Sequence, residues 1–208
     1  MDKLVWSGSP NGSFNVKSAY GMAMESANVT VLSCNWVWKA DVLPKIKMFL
    51  WLCAHNSIDV KVCLGRRGVV QEEVCPVCCN GDETILHALR DCSHLKHVWN
   101  QLGVTAANHE FWHKNVVDWL SLNLRKNGKM HDSGIPWKIV FPFAIWSIWK
   151  SRNDIVFNRK GRSPNLALDI VYQAKEYVHC VAAPRSQTRR VLRSIRWERP
   201  WIDRKSVV

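Results

Sequence analysis

Residues 75–92 read CPVCCNGDETILHALRDC. No other stretch constrains the chain as much. Cys75, Cys78, His87 and Cys92 stand at the spacing Cys-x2-Cys-x8-His-x4-Cys. A Cys-x2-Cys turn can aim two thiolates at one ion, and a following element must deliver the second pair to complete a tetrahedron. Asp82 or Thr84 can cap a helix running to about Arg90, and that helix carries His87. Cys92 lies five residues beyond His87, about 140° further round an ideal α-helix. It is therefore expected just past the helix end, where the chain can bend back.

Rivals stand inside the same run. Cys79 could replace Cys78, and His94 or His97 could replace Cys92. The compact set with Cys92 is preferred, because a thiolate is the better zinc ligand. Three cysteines and one histidine make a closed structural site with no open position for a substrate, so one structural Zn2+ is the expected cofactor. The competing reading is three buried thiols beside a surface imidazole. Free cysteine often serves as a small core residue, and Cys34, Cys53, Cys63 and Cys180 are assigned that role.

The chain has 208 residues, of which 47% are hydrophobic, enough for one good core or one domain with an appendage. MDKLVWSGSPNG has no basic region followed by an apolar one, so no secretory signal is expected. The longest apolar run, between Lys138 and Lys150, is too short to span a bilayer and contains Pro142. An intracellular location, nucleus or cytoplasm, is expected, with reduced cysteines and no membrane partner.

The pattern of residues points to a mainly α fold. LVWSGSPNGSFNV at 4–16 has apolar ends around turn residues and predicts a short N-terminal β-hairpin. Pro44 suits a first helical turn, and Ile46, Phe49, Leu50 and Cys53 repeat with helical period, so one face of 44–55 is core. Short helices are expected at 60–67, closed by Gly68, and at 95–102, stopped by Gly103. A single helix is expected over 110–124, a long buried one from Pro136 to about Asn158, and a last one over 164–181. Together these make a helical domain with a small Cys3His knuckle, followed by a helical extension. The expected division is a module at 1–103, the extension at 104–184 and a basic linker or tail at 185–208.

The net charge is +12, and half of it sits in that tail, where eight basic residues face Glu198 and Asp203. Such a charge favours RNA or DNA as partner. Candidate phosphate contacts are Lys45, Lys47, Lys61, Arg66 and Arg67 near the knuckle, and Arg189, Arg190 and Arg193 in the tail. Trp99 offers a ring for base stacking, against the commoner role of tryptophan in a core.

Further likeness lies around the cysteine run. The order Cys75, Cys78, Glu83, Thr84, His87, Leu89, Cys92 and Trp99 resembles the zinc-binding segment that follows the reverse transcriptase in plant non-LTR (LINE-type) retroelement polyproteins. Upstream, Trp6, Gly12, Phe14, Val16, Ser18 and Tyr20 resemble that family's opening. Trp38, Lys39, Pro44, Lys45, Phe49 and Trp51 resemble its core. Asp59 departs from it, standing where the family has a Pro-Thr turn. IWKSRNDIVFN resembles the helix preceding a ribonuclease H domain. The resemblance implies a zinc-binding, retroelement-derived module whose partners include the reverse transcriptase and ribonuclease H domains of a parent polyprotein.

Enzyme signatures are not expected. Reverse transcriptases hold two metal ions on adjacent aspartates, and no Asp-Asp pair occurs in this sequence. Gly65-Arg66-Arg67-Gly68 lacks Walker spacing, and no Gly-x-Ser-x-Gly elbow appears, so no small-molecule substrate is expected. Two function classes remain: a zinc-stabilised nucleic-acid-binding module, and a spacer or docking module between catalytic domains.

Overall fold

The computed structural model describes residues 5–26, 34–130, 133–158, 161 and 163–182. Among these, the regular elements are helices: α1 Val16–Ser26, α2 Asn35–Lys39, α3 Pro44–Ala54 and α4 Lys61–Arg66. After the cysteine-rich turn come a π-helical turn His87–Asp91, a 3-10 turn Ser93–Leu95, and α5 Lys96–Gln101. Then follow α6 His109–Trp112, α7 Val116–Arg125, α8 Trp137–Asn158 and α9 Leu166–Ala182. No described helix is long and apolar enough to cross a membrane.

The expected N-terminal hairpin does not form among the described residues. The turn itself is present: Trp6 N donates to Gly12 O at 2.9 Å, and Gly12 takes φ 70°, which suits glycine. Its second arm is diverted into a helix. Asn15 Oδ1 accepts from Ser18 N at 2.8 Å, so Asn15 caps α1 and Val16 enters the helix instead of a strand. Antiparallel pairing among the described residues is confined to two isolated bridges, Val74 with Asp82 and Lys129 with Pro136.

The helix expected over 110–124 is broken in two. Asn108 Oδ1 accepts from Phe111 N at 3.2 Å and Asn115 Oδ1 from Asp118 N at 2.9 Å, so each asparagine starts its own helix. α3 follows its periodicity: Ile46, Phe49, Leu50 and Cys53 are all buried.

α8 organises the core. Its first part is apolar nearly all round, and Ile139 through Ile145 are buried in unbroken sequence. It packs against α3, α7 and α9, and against the π-helical turn. Pro142 removes one backbone donor, and the carbonyl that loses its partner belongs to Lys138, an exposed residue. One apolar cluster runs from Cys34 to Ala174 and crosses residue 103 without a break. At its centre Trp99, Phe111, Trp119 and Phe141 form one aromatic cluster, edge to face at 4.9 Å for Trp99–Phe111 and 5.0 Å for Trp119–Phe141, and stacked at 6.2 Å for Trp99–Phe141.

Cys180 departs from the core role assigned to it. Cys34, Cys53 and Cys63 are buried, but Cys180 is exposed. It lies ten residues past buried Ile170, about 280° further round α9, and so leaves the apolar face.

Candidate metal centre

The knuckle is built by three local devices. Cys75 N donates to Gly81 O and Cys79 N to Cys75 O, both at 2.9 Å, closing the Cys-x2-Cys turn. Gly81 at φ 81° and Cys79 at φ 53° supply the left-handed backbone this turn needs. Thr84 then caps the next element, its Oγ1 accepting from His87 N at 3.0 Å. The third device is the π-helical turn. Cys92 N donates to His87 O, five residues back, at 2.9 Å. This wider coil returns Cys92 to His87, where an α-helix would carry it away. Cys92 itself leaves the helix at φ −54°, ψ 131°.

These devices bring one donor atom each from Cys75, Cys78, His87 and Cys92 within 4.8 Å of one another. Cys78 Sγ stands 3.2 Å from His87 Nε2. Tetrahedral zinc with Zn–S bonds of about 2.3 Å and Zn–N bonds of about 2.0 Å needs its donors about 3.5–3.8 Å apart, so the wider pairs must close a little and the Cys78–His87 pair must open a little. Three soft thiolates and an imidazole are the donor set zinc prefers. Cys75 and Cys92 are buried, while Cys78 and His87 are half-buried. Cys79, His94 and His97 are exposed and stand outside the group.

The thiols crowd each other. Burial pushes the Cys75 thiol up, and it pushes Cys92 up to about 12. Cys78 also feels burial. Hydrogen bonds from the Asn80 backbone and from the Cys75 and Cys92 thiols outweigh it and bring Cys78 below the ordinary thiol value. A cation entering the group therefore displaces protons held mainly on Cys75 and Cys92.

Two buried arginines clamp the knuckle to the rest of the molecule. Arg152 of α8 reaches Glu83, with Nε 2.9 Å from Oε1 and NH2 2.6 Å from Oε2. Lys61 N, at the start of α4, donates to Glu83 Oε2 at 2.9 Å. Glu83 is fully buried and Arg152 is 5% exposed. On the other side, Arg90 NH1 donates to the carbonyls of Phe111 at 3.2 Å and Lys114 at 2.8 Å. Neither arginine is among the candidate site residues that the sequence suggests. The available signal was a Glu beside the Thr-x2-His run; Arg152 stands among Lys150, Ser151, Asn153 and Asp154 and carried none.

The candidate phosphate contacts fare unevenly. Lys45 and Arg66 are exposed, and Lys61 is half-exposed. Arg67 is paired with Asp59 at 3.0 Å, and Lys47 Nζ donates to Trp38 O at 3.0 Å. Arg189, Arg190 and Arg193 lie outside the described residues. Trp99 cannot stack on a base: it is fully buried, and its Nε1 donates to Leu89 O at 3.2 Å.

Residues 14–99 match the family described as zinc-binding in reverse transcriptase. An Arabidopsis thaliana protein named "Putative ribonuclease H protein" is 34% identical over 164 residues, covering 77% of this chain. That stretch is 26% of the relative, so the chain spans about a quarter of its length. No solved structure matches.

Proposed function

We propose that residues 14–99, which belong to the family of zinc-binding segments of reverse transcriptase, form a zinc-stapled, non-catalytic module that binds nucleic acid. One observation carries the zinc half of this reading: donor atoms of Cys75, Cys78, His87 and Cys92 lie within 4.8 Å of one another. These four residues would hold the ion. When bound, zinc supplies a crosslink between the Cys-x2-Cys turn and the π-helical turn. With all four positions taken by protein, no site remains for an activated water. The chain's own residues do the rest. Glu83 and Arg152 hold the knuckle against α8, and Arg90 holds it against the α6–α7 junction.

The nucleic-acid half of the proposal rests on the +12 charge and on the retroelement relationship. Zinc content of the purified chain, measured beside a fluorescence-anisotropy titration with RNA and DNA, tests both halves. One zinc per chain and an affinity that falls steeply with salt are expected. Zinc near zero and unchanged by Cys75→Ser would remove the first half, and the absence of binding at low salt the second.

A spacer role between reverse transcriptase and ribonuclease H domains draws support from a separate observation. The matched stretch occupies only 26% of a longer relative that carries a ribonuclease H name. In that role the module would dock catalytic domains, and reversing charge in the tail would leave docking intact.

A further inference from the structure

A chain of adjoining surface grooves runs across the face made by α2, α7 and the residues flanking α5 and α6. The first, about 450 Å3, is lined by Trp36, Lys39 and Arg125. Arg125 also lines the next, about 600 Å3, together with Lys126. Lys126 and Lys129 line a third, about 250 Å3. Val104 is shared between that groove and a fourth, about 540 Å3, which ends on Lys96 and Trp112. Each groove thus shares a wall residue with the next, Arg125, Lys126 and Val104 in turn, with a half-buried indole in the first and the last and cations between.

The charge along this path is unbalanced. Lys39, Lys96, Lys114, Arg125, Lys126 and Lys129 are all exposed, and among the described residues none of them forms an ion pair. Glu110 and Asp118 are the acidic residues in its walls. Asp118 accepts from Asn115 Nδ2 at 2.7 Å, which draws it towards its own helix cap. The cations come from four separate places in the sequence, Lys39, Lys96, Lys114 and the RKNGK run at 125–129, so no single run marks the whole path.

We infer that this path binds the backbone of single-stranded nucleic acid, with bases stacking on Trp36 and Trp112. The inference rests on the nucleic-acid reading above and moves the contact surface away from Lys45, Lys61 and Arg66. A groove of unpaired cations that tracks a backbone, with aromatic rings for bases, is the usual architecture for single strands. A duplex has its bases already stacked on one another, so the two indoles gain nothing from it.

The test uses the full zinc-loaded chain and fluorescein-labelled oligouridylate, oligothymidylate and a duplex of equal length. The variant Arg125→Ala/Lys126→Ala/Lys129→Ala is expected to weaken both single strands at least about tenfold at low salt. It should also flatten the log affinity against log salt slope by about 2, at about 0.7 per phosphate contact. The equal-charge control Lys45→Ala/Lys61→Ala/Arg66→Ala should leave that slope within about 0.7 of the parent. Zinc content and melting midpoint check that both variants are folded. Equal weakening by the two triples, weakening by the control alone, or weakening by neither overturns the path. Binding of the duplex alone overturns the path but keeps the nucleic-acid reading. A parent chain that binds no probe overturns both.

Discussion

Glu83 and Arg152 stand 69 residues apart in sequence and meet in a buried two-pronged ion pair, Nε to Oε1 at 2.9 Å and NH2 to Oε2 at 2.6 Å. The pair links the start of the metal-binding turn to the central helix, and Lys61 N adds a third donor to the same carboxylate. The Trp149 ring lies under the guanidinium at 5.1 Å. Removing one partner strands a charge in the core. Glu83→Leu or Arg152→Met is therefore expected to cost about 3–5 kcal/mol. The double variant should recover much of that loss, because both charges leave together. Urea unfolding of the zinc-loaded chain gives all three values. A double variant as unstable as the worse single one would show that the pair does more than satisfy its own charges.

Metal removal should act locally first. The knuckle sits at the edge of a core that runs from Cys34 to Ala174, so that core has apolar packing independent of the ion. A chelator is expected to expose amides in 75–92 to hydrogen exchange while α8 stays protected. Cys75→Ser and Cys92→Ser should lose zinc, and Cys79→Ser should keep it, because Cys79 is exposed and outside the donor group. Cobalt substitution gives a thiolate charge-transfer band that reports the count of sulfur donors.

The same site predicts a pH dependence. In the metal-free chain burial raises the Cys92 thiol to about 12 and also raises Cys75, so both carry protons near neutrality. Zinc must displace them, so binding releases protons and apparent affinity climbs as pH rises from about 6 to 8. Isothermal titration in two buffers of different ionisation enthalpy measures the release. A release near zero would sink the thiolate assignment.

Periodicity and spacing reveal much of this molecule, and the failures have physical causes. α3 was legible because Ile46, Phe49, Leu50 and Cys53 repeat on one face. The donor group was legible because its members lie within 18 residues and need only one turn and one helix. The hairpin misreading arose because turn residues look alike whether the chain goes on to a strand or a cap, and Asn15 makes it a cap. The split between α6 and α7 is invisible to apolar period but is written in Asn108 and Asn115. The Glu83–Arg152 pair and the groove of cations were hidden because sequence distance conceals which charges meet.

Tyr177 joins α9 to the link between α2 and α3, its hydroxyl donating to Asp41 Oδ1 at 3.1 Å. Burial raises the tyrosine above its ordinary value, and the Asp41 bond and charge add to this. A raised folded value means the bond's contribution is fully present below the ordinary tyrosine pKa of about 10. It is lost as pH rises through the folded value. Tyr177→Phe should lower stability slightly at pH 7, by less than about 1 kcal/mol for so exposed a bond. The gap between parent and variant should close above pH 10. A gap that stays constant with pH would rule the bond out as its source.

Trp99 and Trp119 occupy the same aromatic cluster, both fully buried, with centroids 6.2 Å apart. They differ in the circumstances of the indole N–H, and the Arg90 guanidinium lies 5.6 Å from the Trp119 ring centroid. Trp99 Nε1 donates to Leu89 O at 3.2 Å, whereas Trp119 Nε1 has no partner among the described residues. An unpaired buried N–H costs about 1–3 kcal/mol, and a paired one is lost only at the expense of its acceptor. Replacing either by Phe removes similar volume and so opens a similar cavity. Trp119→Phe also removes the unpaired donor, while Trp99→Phe strands the Leu89 carbonyl beside the metal-binding turn. Trp99→Phe should therefore be the more destabilising by at least about 1 kcal/mol, as read from urea midpoints of the two variants at constant slope. It should also loosen zinc, since Leu89 lies between His87 and Cys92. Equal costs with unchanged zinc affinity would mean that the Leu89 bond contributes nothing to the knuckle.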